Sequence, residues 1–273
     1  MEYRSEVVRT YPELREYVAD FARRDGYRFL VIIGGPGLGK SRMFKEAMGD
    51  DVLLLESRQT PFSVYIDLYE HVDEPVVIDD VDDALKDRVW VNLLKNLCQT
   101  ERVKTLSWGT RAAKLEDQGV PRRFQTQSRV AILGNDIDGV SKNLAAVLDR
   151  AVVVTFMPSA AAVHEEAGKW FKDSEIRDFI ERNLPLITTP SFRDYDIAGQ
   201  RKALGRDWKR TLLNRWLQDE KVALYILVAS DETLITSAQR ERRFAELGGG
   251  TRDTYMRAQR RFRQLTQDAN VKL

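Results

Sequence analysis

The chain has 273 residues, 43% hydrophobic and 31% charged, enough for one large or two modest domains with a buried core. Its 43 basic and 42 acidic residues leave a net charge of +1, which excludes a polycationic coat and an acidic disordered tail, so any nucleic-acid surface has to be a local patch. One cysteine, Cys98, excludes an intrachain disulfide and a thiolate zinc cluster.

Thr10-Tyr11-Pro12-Glu13 reads as a helix start, with a capping threonine, proline in the first turn and an early acid. Leu14, Tyr17, Val18 and Phe21 follow at helical spacing, and Gly26 ends the segment. Five short apolar runs then recur, at Phe29 to Ile33, Val52 to Leu55, Pro75 to Ile78, Val130 to Leu133 and Ala151 to Phe156. Continuous apolar runs suit parallel strands covered on both faces. Amphipathic stretches separate most of them: Ser41 to Met48, Phe62 to His71, Ala84 to Leu97 and Val140 to Leu148. This alternation predicts an α/β domain built on a mostly parallel sheet. The stretch between Thr100 and Val130 is too long for an ordinary loop and is expected to hold a hairpin or short helix of its own.

From Pro158 onward the pattern turns helical, over Ala160 to Phe171, Ser174 to Asn183, Phe192 to Leu204 and Trp208 to Leu217. Ser237 to Leu247, Gly248-Gly249-Gly250 and Thr251 to Leu265 read as helix, glycine turn, helix. The expected organisation is an α/β nucleotide-binding domain over 1–157, a helical lid over 158–230 and a C-terminal helical element over 231–273. No apolar run is long enough to span a bilayer, and Met1 to Glu6 lacks a secretory core. The expected setting is therefore soluble, reducing and cytoplasmic. Cys98 closes an apolar helical run and is expected to be buried, while His71 and His164 are expected to be surface or capping residues.

Gly34-Gly35-Pro36-Gly37-Leu38-Gly39-Lys40-Ser41 matches the phosphate-loop pattern in full, between an apolar strand and a helix. Glycines let the backbone curl so that several N–H groups point at phosphate oxygens, and the following helix adds its positive end. Lys40 is then expected to reach the terminal phosphates of ATP, and the Ser41 hydroxyl to ligate Mg²⁺. Pro75-Val76-Val77-Ile78-Asp79-Asp80 is an apolar strand ending in paired acids. Asp79 is assigned to the Mg²⁺ shell and Asp80 to the attacking water, with Asp82 competing for the second role.

With these residues in place the chain resembles the AAA+ ATPases. Leu133-Gly134-Asn135-Asp136 looks like that family's sensor-one element, which implies that Asn135 touches the γ-phosphate and the attacking water. Asp149-Arg150 before Ala151 looks like the arginine-finger segment, which implies that Arg150 reaches a neighbouring subunit's ATP, with Arg129 the next candidate. Pro190-Ser191-Phe192-Arg193 entering a helix resembles the sensor-two element, which implies that Arg193 acts from the lid. Many members carry glutamate where this chain has Asp80, an aspartate that replication-initiator and helicase-loader relatives often share, and the insertion before the sensor-one strand is similar in position to the hairpin of superfamily-three helicases.

Two basic elements bear on the load. In the insertion, Arg111, Lys114, Arg122 and Arg123 interleave with Trp108 and Phe124, cations that track a phosphate backbone beside aromatics that stack on bases. Near the end, Arg252, Arg257, Arg260, Arg261 and Arg263 surround an apolar stripe of Tyr255, Ala258, Phe262 and Leu265, like a recognition helix or an ordinary packing helix with a solvated face. The expectation is an oligomeric, hexamer-like ATPase in a ring or spiral. It would act on DNA, with a replication or recombination protein as a further partner. The alternatives are a remodeller of protein partners and a slow nucleotide-gated scaffold.

Overall fold

Strands that are apolar along their whole length need cover on both faces, and the chain supplies it by alternating them with helices. The computed structural model describes residues 5–56, 59–80, 87–109, 115, 117–136 and 147–271. They form two compact units, Met1–Pro158 and Ser159–Leu273.

The first unit holds strands β1 (Glu6–Val8), β2 (Phe29–Gly34), β3 (Leu53–Glu56), β4 (Val76–Asp79), β7 (Val130–Gly134) and β8 (Val152–Phe156) in one parallel sheet, ordered β1-β8-β2-β7-β4-β3. Helices α1 (Tyr11–Ala22), α2 (Lys40–Met48), α3 (Pro61–Glu70) and α4 (Arg88–Leu97) lie between strands in the chain. Thr10 and Glu13 close a capping box at the start of α1, as expected from the sequence. Strand β7 runs between β2 and β4, with Ile33 opposite Gly134 and Asp79 opposite Leu133. This order carries the function, because three different loops then leave the same edge of the sheet side by side. The α/β P-loop architecture read from the sequence is present.

The insertion does contain a hairpin, β5 (Lys104–Ser107) antiparallel to β6 (Arg123–Thr126). Its aromatics face inward. Phe124 is buried against Tyr65 and Tyr69, and Trp108 packs on Phe62 and Tyr65, so neither offers a free face for a base. That corrects the stacking expected of Trp108 and Phe124; Arg111 and Lys114 lie outside the described residues, and Arg122 and Arg123 are exposed.

The second unit consists of α5 (Ala160–Ala167), α6 (Ser174–Arg182), a 3-10 turn (Leu184–Leu186), α7 (Arg193–Ala203), α8 (Trp208–Trp216), α9 (Glu220–Ala229), α10 (Ser237–Glu246) and α11 (Arg252–Val271). Helix α9 is apolar around its circumference and sits in the middle of the core, as a helix without a polar face must. Tyr255, Ala258, Phe262 and Leu265 form the inward stripe of α11. The turn between α10 and α11 is closed over Phe244: a Cβ on Gly249 would lie 2.4 Å from that ring, so only glycine fits. Residues 231–271, set apart in the sequence reading, share the core of residues 159–230.

Candidate active site

Strand β2 delivers the chain to a loop whose turns demand glycine. Gly37 and Gly39 have φ of 74° and 78°, left-handed values that a side chain disfavours. Gly39 is also the N-cap of α2 and offers no side chain to its first N–H groups, which leaves these donors and the positive helix end directed at an anion. From α1, the Tyr11 hydroxyl donates to the Leu38 carbonyl at 3.3 Å and braces the loop. Ser41, half-buried, is the second residue of α2.

The Lys40 ammonium is buried and donates to the carbonyls of Gly34 (2.6 Å) and Gly35 (3.0 Å). It also donates to the Asn135 Oδ1 at 3.3 Å. The other end of the same amide, Nδ2, donates to the Asp80 Oδ1 at 2.9 Å. Sheet order explains the meeting: Asn135 follows the central strand β7, Lys40 follows β2 on one side, and Asp80 follows β4 on the other. Asp80 has φ of 56°, uncommon for a residue with a side chain, and its N–H donates to the Asp79 Oδ1 at 3.0 Å. Backbone held in this region costs on the order of 1 kcal/mol and points to a constrained functional position.

Lys40, Asp79, Asp80, Asn135 and the loop Gly34–Ser41 therefore gather at the edge where the parallel strands end. A cation, donor-rich backbone and two carboxylates suit a polyphosphate with a hard divalent ion, for which Ser41 and Asp79 carry oxygen atoms of the right kind. Asp82 lies outside the described residues. Among the described residues there is no group of three or more histidine, cysteine or acidic side chains placed to hold a metal.

The arginines fall elsewhere. Arg150 is exposed in the turn before β8, and Val152 pairs with Leu30, so Arg150 stands at the edge where the strands begin. At about 3.3 Å per residue that is roughly 20 Å along the strands from Gly34, beyond the reach of one side chain. Arg129 is committed to structure: it donates to the Phe21 and Ala22 carbonyls at the end of α1 and lies over the Phe21 ring. Arg193 belongs to the second unit, exposed at the first position of α7.

Its neighbour Asp194 is buried and accepts from the Arg215 Nε and the Trp216 Nε1, both at 2.9 Å, tying α7 to α8. Neither that role nor the brace from Tyr11 has a local sequence signal. His71 caps the end of α3, as expected. His164 is not a surface residue; it is buried, with Nδ1 2.9 Å from the Tyr195 hydroxyl, because α5 turns it inward. Cys98 is buried, and burial pushes its thiol up to about 12, which leaves it inert.

No protein-family model matches the chain. It is 29% identical over 121 residues to an uncharacterized 36.7 kDa protein of the nrdC–mobD intergenic region of Enterobacteria phage T4; the match takes in 41% of this chain and 37% of that protein. Among solved structures it is similar to domain III of the Thermotoga maritima replication initiation protein DnaA, with TM-score 0.47 and 16% identity over 76% of this chain and 92% of that one. It is also similar to the FIGL-1 AAA domain in complex with ADP (TM-score 0.43, 13% identity, 71% and 69% of the chains). A third is a structure of katanin self-assembly (TM-score 0.43, 12% identity, 92% and 82%). No helix among the described residues is long and apolar enough to cross a membrane.

Proposed function

We propose that this chain is an AAA+-type ATPase that hydrolyses Mg²⁺-bound ATP to ADP and phosphate and works on DNA as an assembly of its own copies. The observation that carries the reading is the hydrogen-bonded line Lys40–Asn135–Asp80 beside a complete phosphate loop. The loop amides and Lys40 would hold the phosphates, and Ser41 and Asp79 would hold Mg²⁺, whose charge would then offset that of the transferring group. Asn135 and Asp80 position a water in line with the γ-phosphorus. Its oxygen bonds to phosphorus as the bond to the bridging oxygen breaks, and Asp80 takes up the water's proton. Arg150 serves a second copy in this reading, because its own loop is out of reach. A ring or spiral, hexamer-like, puts it there, and Arg193 is the sensor-two candidate in this reading.

DNA as the load is supported by the outer face of α11, where Arg257, Arg260, Arg261 and Arg263 are all exposed. A replication or recombination protein is the further partner this implies. The test is ATP turnover with and without single- and double-stranded DNA at two salt concentrations, together with Arg257→Ala, Arg260→Ala and Arg261→Ala combined. DNA should stimulate turnover, and the triple variant should bind DNA more weakly with a shallower salt slope and unchanged basal turnover. Unchanged DNA binding in the triple variant would transfer the assignment to remodelling of protein partners.

A further inference from the structure

A second concentration of positive charge lies at the opposite edge of the same sheet, where the parallel strands begin. A pocket of about 760 Å³ is lined there by Arg24, Arg28, Arg102, Lys104 and Arg129, together with Asp25 and Asp73. Arg28 and Arg129 immediately precede β2 and β7, and Lys104 opens β5, so the pocket rests on three strands and not on one loop.

The acids do not pair with Arg28, Arg102 or Lys104, although Asp25 acts on Arg129. Asp25 pairs with Arg23, whose Nε is 3.5 Å away, and the Asp73 Oδ1 accepts from the Gln127 N–H at 2.6 Å. The cations are held by neutral acceptors: Arg28 by the Thr100 carbonyl (3.0 Å), Arg102 by the Gln127 Oε1 (2.9 Å) and Lys104 by the Ser128 carbonyl. Among the described residues none of these three is in an ion pair, and Arg129 is occupied by the end of α1.

Lys104 is the residue that separates a site from an ordinary solvated face. It is 1% exposed, and burying an ammonium against a single carbonyl is costly unless an anion shares the cavity. Burial and the nearby Arg28 both hold its pKa below the usual lysine value. The two guanidiniums at the rim present flat forks of N–H donors, the geometry that grips tetrahedral oxyanions through paired hydrogen bonds. The volume exceeds a bare oxyanion and admits a phosphate with an attached sugar.

We propose that this pocket binds a phosphate group, with Lys104 at its floor and Arg28 and Arg102 at its rim, independently of the phosphate loop. The phosphate comes either from a small phosphorylated molecule or from a nucleic-acid backbone. Backbone amide shifts in the full chain, titrated with inorganic phosphate and separately with a short single-stranded oligonucleotide, test it. Gly26, Asp73, Thr126 and Gln127 should shift in a saturable way. Lys104→Met, which keeps the buried volume, and the double variant Arg28→Gln/Arg102→Gln should each weaken that response by about 10-fold or more. An oligonucleotide that shifts these amides at about 100-fold lower concentration than phosphate identifies the backbone as the source, and equal concentrations identify the small phosphate. Shifts confined to residues 34–41, or responses unchanged in both variants, overturn the proposal.

Discussion

Asn135 and Asp80 stand 55 positions apart in the chain and are joined by a hydrogen bond of 2.9 Å from the asparagine Nδ2 to the aspartate Oδ1. With Lys40 donating to the other end of the same amide, one side chain fixes a cation and a carboxylate at once. The amide donates from one corner and accepts at the other, which neither an ionised Asp nor Leu can do. Asn135→Ala should slow ATP turnover by about 10²-fold while changing ATP affinity by less than about 10-fold. Turnover and nucleotide binding measured on the same preparation separate the two effects, and a loss of affinity alone would remove Asn135 from the water-positioning role.

Lys40→Ala should remove tight ATP binding or turnover altogether, because the phosphate charge then lacks its cation. Asp80→Asn should keep binding and slow hydrolysis by about 10²-fold. Should Asp82→Asn give that phenotype while Asp80→Asn does not, the water belongs to the other carboxylate.

Arg150 offers a cleaner test of assembly than any sizing experiment. Its position at the far edge of the sheet makes help to its own site impossible, so Arg150→Ala should lose about 10³-fold in turnover with the nucleotide still bound. Mixing Arg150→Ala with Lys40→Ala subunits should restore part of the activity, each supplying what the other lacks. Mixtures that co-assemble and stay inactive would place the finger on another residue, and Arg129, already bound to two carbonyls, is a poor substitute.

His164 makes the helical unit sensitive to acid. Burial, the largest cause, lowers its pKa from 6.5, with Arg177 adding to the shift while Glu181 and Asp178 oppose it. An unfolded chain takes up a proton near pH 6.5 that the folded unit resists, so the unfolded state binds more protons as the pH falls. The stabilisation is complete above about pH 6.5 and is lost as pH drops through the lowered value. Thermal unfolding followed between pH 8 and 5 should therefore steepen downward in the wild type and flatten in His164→Gln; identical slopes would show that the imidazole is not the group responsible.

The parts of this protein that could be read from the sequence are those whose physics is local. Gly37 and Gly39 announce their turns because few other residues tolerate positive φ, and Thr10 with Glu13 announces a helix start within four residues. Asn135 was legible for a different reason, since it follows an apolar strand at the place a resemblance had marked. Strand β1 was missed: three residues, two of them exposed, exist as a strand only because β8 pairs with them nearly 150 positions away. Helix α9 was missed because a helix apolar all round has no period to detect. The aromatics of the insertion misled because Phe124 and Trp108 find Tyr65 and Phe62 in three dimensions, partners that no spacing rule supplies.

The placing of β7 between β2 and β4 has a consequence for how this protein can vary. Strands β2 and β4 never touch, so the separation of the phosphate loop from the carboxylates amounts to two rungs of the sheet, about 4.8 Å each. No choice of side chain at either end alters that gauge. Ala131, wholly buried in β7 between Leu30 and Val77, lies where the gauge is transmitted. Substitutions at the loop ends tune the chemistry in a jaw of constant width, and only a change in the sheet itself would open or narrow it.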